Sequence, residues 1–372
     1  MPPIKRKSEI VNISLITKIS PGRLVRRKID WLSETDDNND VVLTTRVRRA
    51  RNIEGYNFPA RLKRKTSGEV FKTASEVVEN SAFRAKSAVY RTDRLENISR
   101  SILMERRLID HQPVAKKITT GIIVTRGESG FVNINYEDHL HFHSVSGGFN
   151  SSRALKRLDR ITKPFKENLR FHSSRSLGYL TSSPVLLGTG FRISYYCHLP
   201  ALNLLRRLDE ITEKALTAGV VLSGNYYHES GFIGANIIQL YNQATLGTTE
   251  NAIIEKTGRV VKEIIQSERE ARKQIRDEFD PIAYDQISRF LAILKNAYIL
   301  NADEMIIYLS ALRFGILLGW ISGIDSREIL TLMLYAQDGH LCAAHKTAMD
   351  SIEKDKIRAA TIKEGLLQVR MA

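Results

Sequence analysis

Residues Leu177–Leu202 read LGYLTSSPVLLGTGFRISYYCHLPAL. Their spacing predicts a strand, a glycine loop, a second strand and a helix start. Residues 178–183 form the first strand candidate, and 184–190 a loop in which Gly188 and Gly190 permit positive φ. The alternation resumes over 191–198, and Leu199-Pro200 closes it. Arg192 leaves the Gly188-Thr189-Gly190 turn, where backbone N–H groups and a forked cation suit phosphate oxygens. Taken alone, the stretch reads more plainly as a tight hairpin with a solvated arginine. The rest of the chain has to decide.

At 372 residues the chain has room for two domains, each with its own core. The start is basic, but no continuous apolar run follows, so no signal peptide is read there. The most apolar run, 305–321, holds Arg313 and Gly315 and is short for a bilayer. It reads as a buried helix, and no membrane association is expected. Cys197 and Cys342 form neither a disulfide framework nor a CxxC pair, which suits a reducing cytoplasm. The net charge of +15 is concentrated early: residues 1–110 carry 24 Lys/Arg against 14 Asp/Glu. No zinc knuckle, helix-turn-helix or RNP motif accompanies that charge, and aromatics are not interleaved with it. An electropositive nucleotide or phosphoprotein surface explains the charge as well as nucleic acid does, and once the family resemblance of the motifs is added nucleic acid is not expected as a partner.

Residues 1–28 are a basic leader expected to be partly disordered. An acidic loop, 30–40, delivers the chain into a β-branched strand, 41–48. Within it, Arg46 and Arg48 project from one face about 7 Å apart. Aimed into a cleft they clamp a polyphosphate; on an open face they are solvated. Residues 75–108 read as helical, and 119–125 and 131–137 as strands joined by Arg126-Gly127-Glu128-Ser129-Gly130. The second strand is expected to continue through His143. Helices follow over 152–171 and 202–218, with a short strand at 219–222. The class is α+β, without regular βαβ alternation. A helical stripe runs over 251–275, and the charged segment 272–281 ends in proline like a hinge. Only helical segments are expected beyond it. The organisation is thus a leader (1–28), an α+β domain (29–271) and an all-helical domain (272–372).

No GxxxxGK[ST], HRD or DFG element is present, which excludes the usual P-loop and protein-kinase sites. Strand arginines, the Gly-Thr-Gly-Phe-Arg turn and isolated carboxylates nevertheless supply what phosphoryl transfer needs. Glu137, His139, His141 and His143 alternate and so share a strand face. Three alternating histidines span about 13 Å, too far for one ion to take all, so no metal centre is assigned. Residues 225–231 (NYYHESG) form a loop whose carboxylate, Glu229, suits a basic ligand. Cys197 and His198 point to opposite faces and make no dyad.

Together these pieces resemble the phosphagen (guanidino) kinases. Residues 41–52 are similar to that family's SSRIRLARN segment, and Asn135-Tyr136-Glu137-Asp138-His139 to its NEEDH loop. The opening stretch resembles its TxCPTNxGTGxRASVxxHLPAL signature. Residues 236–250 resemble the NxxQISNQxTLGxSE segment of its bacterial branch, the protein-arginine kinases of the stress response. LMERRLI at 103–109 and the helical C-terminal part fit that branch as well. The resemblance covers roughly residues 30 to 370, and four ordered motifs are a specific signal.

It implies an antiparallel β-sheet flanked by helices, the guanidino-kinase catalytic fold, and an all-helical C-terminal domain. It also implies transfer of the γ-phosphoryl of Mg2+-ATP to a guanidinium of arginine-containing protein substrates, with an activator protein or a homodimer as further partners. Position by position, Arg46, Arg48 and Arg192 match nucleotide-phosphate arginines. Glu137 matches the carboxylate that holds and deprotonates the guanidinium. Lys354 and Asp355, with Ile357-Arg358-Ala359-Ala360, look like the region that senses phosphoarginine. Other positions depart. His141 stands where the family has an arginine on the phosphates. The arginine of its RGxxGE loop falls on Ser223, and the glutamate on His228 or, with a one-residue shift, Glu229. A bacterial-branch arginine falls on Ser101, the signature cysteine is Ser183, and Lys354 replaces an arginine.

Each phosphate guanidinium is worth about 2–4 kcal/mol in the transition state, by comparison with oxyanion donors. Two losses slow transfer on the order of 10³-fold unless Arg49, Arg51 or Arg100 substitutes. Two readings follow. One is a protein-arginine kinase, with Glu137 as base, Glu229 as second anchor and Arg46, Arg48, Arg192 and His141 on the phosphates. The alternative is an impaired pseudokinase that binds nucleotide or phosphoarginine as a regulatory partner.

Overall fold

The computed structural model describes residues 25–110, 118–224 and 235–372. Its centre is an eight-stranded antiparallel sheet built from β1 (Val42–Arg51), β2 (Ser87–Arg91), β3 (Gly121–Thr125), β4 (Gly130–Ile134), β5 (Leu140–Gly147), β6 (Phe191–His198), β7 (Val220–Ser223) and β8 (Ile237–Asn242). Their order is β2-β3-β4-β5-β1-β6-β8-β7, so β1 lies between β5 and β6. One face is apolar along its whole width: Val47, Phe142, Ile193 and Tyr195 are fully buried. Two helices cover it, α3 (Ser151–Asn168) and α6 (Glu250–Asp277), the first through Phe165 stacked edge-on to Phe142 at 5.0 Å. The other face is apolar only over β2–β4, where α2 (Asn97–Glu105) buries Ile102 and Leu103 on Ile122, Val124 and Phe131. Over β5, β1 and β6 that second face carries polar and charged side chains.

Helix α1 (Arg64–Glu79) precedes β2, and the short helices α4 (Pro200–Leu204) and α5 (Leu208–Thr217) follow β6. The helical half contains α7 (Pro281–Asn296), α8 (Ala302–Leu318), α9 (Ser326–Tyr335), α10 (Asp338–His345) and α11 (Ser351–Gly365). Among the described residues, no helix is long and apolar enough to cross a membrane. The apolar run around Arg313 is the buried helix α8. Its guanidinium is enclosed, donating to His198 Nδ1 at 2.6 Å and to the carbonyls of Asn39 and Asp40.

Several elements differ from expectation, each for a local reason. The run through 131–143 is not one strand but a hairpin. Asn135 adopts φ +60 and its N–H donates to His139 O at 2.9 Å, closing a turn between β4 and β5. His139 therefore leaves the shared strand face, which only His141 and His143 keep. Residues 178–183 hold a two-residue strand that pairs with Ser173–Ser174, so the opening stretch is no hairpin. The segment 75–108 hides the edge strand β2 between two helices, and 202–218 breaks into α4 and α5. Helix α6 runs unbroken past Arg272; the chain turns at Phe279, with φ +43, before Asp280 caps α7. Two residues of strand, Ile321–Ser322 with Arg370–Met371, interrupt the helical half.

Two polar clusters hold the site's scaffold in place. On the apolar side, Arg49 reaches Glu250 through Nε and Nη2 at 2.8 and 2.6 Å and Asp159 at 2.7 Å, tying β1 to α6 and α3. At the end of β1, Asp138 accepts from Asn52 Nδ2 and Ser182 N at 2.6 Å and from His141 Nε2 at 2.9 Å. Burial alone would raise this carboxyl. The hydrogen bond and charge of His141, with those from Ser182 and Asn52, hold it at about 2 instead. Beside it, His139 Nδ1 accepts from Ile53 N–H and Nε2 donates to Asn57 O. Burial keeps this ring neutral and lowers it to about 4.

These clusters give two expectations. Arg49→Met leaves Glu250 without its partner and should cost about 2–3 kcal/mol in urea unfolding while nucleotide affinity is unchanged. Lost affinity with unchanged stability would contradict the structural role. On acidification, the unfolded chain takes up the His139 proton below 6.5, whereas the folded chain refuses it until about 4. Stability therefore falls across that window as pH drops, and Asp138 adds a further loss between 3.8 and about 2. In His139→Gln, urea midpoints measured from pH 7 to pH 4 should flatten over the first window.

Candidate active site

The polar face is built by register. Arg48 lies directly across from Arg192 on one side and from His143 on the other, and Arg46 lies across from Ser194. Period-2 geometry thus gathers Arg46, Arg48, Arg192, His141 and His143 on one face. Arg46 stacks over Phe131 at 5.2 Å and donates to His143 Nδ1; Arg192 stacks over Tyr241 at 4.6 Å. Burial lowers the pKa of Arg48, and the facing charge of Arg192 lowers it further. Burial likewise lowers that of Arg192. The Nε atoms of Arg48 and Arg192 and Nε2 of His143 are buried without hydrogen-bond partners. Burial first, then Arg46 and Arg48, push His143 far below its ordinary range, so its ring is neutral. A neutral ring accepting at Nδ1 carries its proton on Nε2. Three donors without acceptors on one face form a receptor for an anion.

Glu137 supplies the opposite charge. It is exposed in the β4–β5 turn, and its field acts on both Arg48 and Arg192. Its carbonyl accepts from Ser182 Oγ at 2.6 Å, which ties the turn to the loop before β6. Glu137, Asp138 and His141 offer ligand atoms within 4.8 Å of one another. Asp138 already uses both oxygens on Asn52, Ser182 and His141, so this set does not fit an ion held by protein ligands alone.

The turn at Gly188–Gly190 has a different role from a phosphate cradle. Both glycines take positive φ, +99 and +61. A Cβ on Gly190 would lie 2.7 Å from Ala50 O, and one on Gly188 2.6 Å from Thr245 O. The N–H groups of Gly188, Thr189 and Phe191 bond Tyr179 O, Thr245 O and Thr189 Oγ1. The glycines let chains pack closely, and Arg192 alone faces the site.

The arginines that could replace the missing ones are engaged elsewhere. Arg49 sits on the apolar face with Glu250. Arg51 donates to the Ala50 and Thr189 carbonyls and lies 3.5 Å over Tyr179. Arg100 donates to Thr92 O. His141 is turned to Asp138, and Ser223 is half-buried across from Gln239. Glu229 and His228 lie outside the described residues. Lys354 and Asp355 are on α11, apart from the arginine face. Lys354 bonds Asp338 at 2.6 Å, and the fully buried Arg358 pairs with both Asp338 and Asp355. Sequence reasoning missed Asp138, Asn52, Phe131 and Tyr241, and read His143 only as part of a shared polar strand face. Asn52 and Asp138 stood inside quoted motifs; the aromatics carried no signal before the register was known.

A small cavity of about 30 Å³ beside Arg46 is lined by Trp31, Leu108, Phe131, Tyr196, Leu334 and the ion-paired Arg106 and Glu128.

Comparison with known proteins agrees with this geometry. Residues 69–271 match the model of the ATP:guanido phosphotransferase C-terminal catalytic domain, and residues 282–372 that of the protein-arginine kinase McsB C-terminal domain. A protein-arginine kinase of Clostridium acetobutylicum is 31% identical over 341 residues, covering 91% of this chain and 99% of its own. That of Bacillus subtilis is 30% identical over 338 residues, covering 90% and 93%. Among solved structures, the duplicated taurocyamine kinase of Schistosoma mansoni with bound transition-state-analogue components superposes with a TM-score of 0.58 at 22% identity. That match covers 78% of this chain and 42% of the duplicated one. Lombricine kinase superposes with a TM-score of 0.56 at 20% identity, covering 68% and 72%. These two likenesses speak to the fold. With a matching catalytic-domain model over more than half its length, and relatives aligned along nine-tenths of it, the chain belongs to the ATP:guanido phosphotransferase family.

Proposed function

We propose that the protein transfers the γ-phosphoryl group of ATP to the guanidinium of arginine residues in proteins. The observation that carries this reading is the set of unpartnered guanidinium donors on one sheet face, with Glu137 as the carboxylate in their field. Arg46, Arg48 and Arg192 bind the nucleotide phosphates and neutralise charge as the β–γ bond breaks. Glu137 orients the incoming guanidinium and takes its proton as the nitrogen bonds to phosphorus. Glu229 is assigned as the second anchor of that guanidinium. His141, with one ring nitrogen held by Asp138, contributes a minor phosphate contact. Mg2+ bound to the nucleotide supplies charge neutralisation. The cluster of Lys354, Asp355 and Arg358 is assigned to phosphoarginine sensing; its cations now share Asp338, a carboxylate that a phosphorylated ligand would replace. The division into catalytic and helical parts near residue 272, the partnership with an activator protein or a second copy, and a cytoplasmic setting belong to the same reading. Two free cysteines agree with that setting.

The decisive measurement is incubation with labelled ATP and an arginine-rich protein, read as acid-labile phosphoarginine. Glu137→Gln should abolish the signal and leave nucleotide affinity within about threefold. No signal above that variant's background would leave the nucleotide-binding pseudokinase in its place. Arg192→Ala should lower turnover by about 10²–10³ in steady-state assays. Arg192→Lys should recover little of it, because an ammonium lacks the planar fork.

A further inference from the structure

Glu137 is the exposed residue of a turn whose other side chains are all anchored. Asn135 Nδ2 donates to the carbonyls of Ser67 and Thr119, and the Tyr136 hydroxyl to Thr92 Oγ1 at 3.2 Å. Asp138 and His139 make the buried hydrogen bonds of the β1 end. Among the described residues, no hydrogen bond or ion pair reaches the Glu137 carboxylate. Its aim is therefore set by its backbone, and one bond holds that backbone at the residue itself: the Ser182 hydroxyl donates to Glu137 O at 2.6 Å. The Ser182 N–H goes separately to Asp138 Oδ1. The segment that carries this donor is fixed on both sides. Upstream, the Leu180 N–H donates to His172 O and the Leu180 carbonyl accepts from Asn52 Nδ2. Downstream, the buried Thr245 Oγ1 meets the carbonyls of Val185 and Leu187 at 3.0 and 2.6 Å.

We infer that Ser182 is a positioning residue: its hydroxyl sets the direction in which the Glu137 carboxylate meets the incoming guanidinium. The carboxylate hangs about 4 Å from its own Cα, so a tilt of about 15° in the peptide that carries it moves it about 1 Å. A displacement of that size costs on the order of 10²-fold in rate for a group that must meet its partner at hydrogen-bond distance. A carbonyl that has lost its protein donor turns to water, and the turn is then free to tilt. Nucleotide phosphates meet Arg46, Arg48 and Arg192 through strand register, in which Ser182 takes no part. The hydroxyl thus serves the proton-accepting step and not nucleotide affinity. As a plain loop staple, the same bond would contribute to stability and leave the turnover of the folded protein unchanged. The inference rests on the reading of Glu137 as the base and adds to it the group that aims it.

The test is steady-state phosphorylation of an arginine-rich protein by the full-length chain, with nucleotide affinity read by titration of a fluorescent mant-ATP and folding by a thermal melt. Ser182→Ala keeps the N–H to Asp138 and removes only the hydroxyl. Its kcat should fall about 10- to 100-fold while nucleotide affinity stays within about twofold. A second pair of variants differs in the hydroxyl alone: Ser182→Thr should keep most of the wild-type rate, and Ser182→Val, of the same shape, should lose it. A folded Ser182→Ala with kcat within about twofold of wild type overturns the inference and leaves the kinase reading standing. Equal rates for Ser182→Thr and Ser182→Val overturn it in the same way, and so does a parallel loss of nucleotide affinity, which marks a general disturbance of the site. Should the wild-type protein itself form no phosphoarginine, the reading beneath fails and this inference with it.

Discussion

Two like charges in cross-strand register dominate this molecule. Arg48 faces Arg192, and opposed like charges destabilise a sheet. The sheet tolerates them because its register is fixed from behind: a one-residue slip of β1 would turn Val47 outward and Arg48 into the core. On the site face, partial compensation comes from Tyr241 under Arg192, Phe131 under Arg46 and the field of Glu137. What remains is positive potential and unpartnered N–H donors, which a polyanion removes on binding.

Such a face is useful only if its edges are placed to a fraction of an ångström, and the Asp138 carboxylate does this. It joins three segments distant in sequence: the end of β1 through Asn52, the β4–β5 turn, and the loop before β6 through Ser182. The adjacent Ser182 hydroxyl holds the carbonyl of Glu137, so Glu137 and the loop before β6 are fixed by neighbouring atoms. Arg49 answers from the opposite face, anchoring β1 to two helices. Consecutive residues of one strand thus divide the work, Arg48 toward ligand and Arg49 toward carboxylates.

Much of this was legible in the sequence because alternation along β1 and β6 is a local pattern. Arg46, Arg48 and Arg192 could be assigned to one purpose from spacing and motif, and the α+β class with its helical end followed from periodicity. Non-local causes were not legible. Whether 131–143 was one strand or a hairpin depended on Asn135 taking a left-handed conformation, which alternation of side chains does not reveal. The edge strand β2 was masked by helical neighbours, since five residues carry too little period to outweigh thirty. The glycines at 188 and 190 looked like an anion loop, yet they serve close packing on Thr245 and Ala50. That distinction exists only once distant segments meet. Asp138 was read as part of a motif and not as its keystone, because its partners lie at 52 and 182.

The departures from the family pattern make physical sense when set against the packing of the helical half. Glu105, at the end of α2, caps α10 by accepting from the N–H groups of Gly339 and His340, and His340 holds both Glu105 and Arg106. The two helices approach so closely that a Cβ on Gly339 would lie 2.8 Å from the Cβ of Ser101. A side chain at 339 is therefore excluded by that contact. At 141, where the family pattern has an arginine, histidine is a partner for Asp138 and strengthens that keystone. At 223, serine lies opposite Gln239, whose amide donates to Ser194 beside Arg46. Among the described residues, Arg46, Arg48 and Arg192 are the arginines gathered on that face of the sheet.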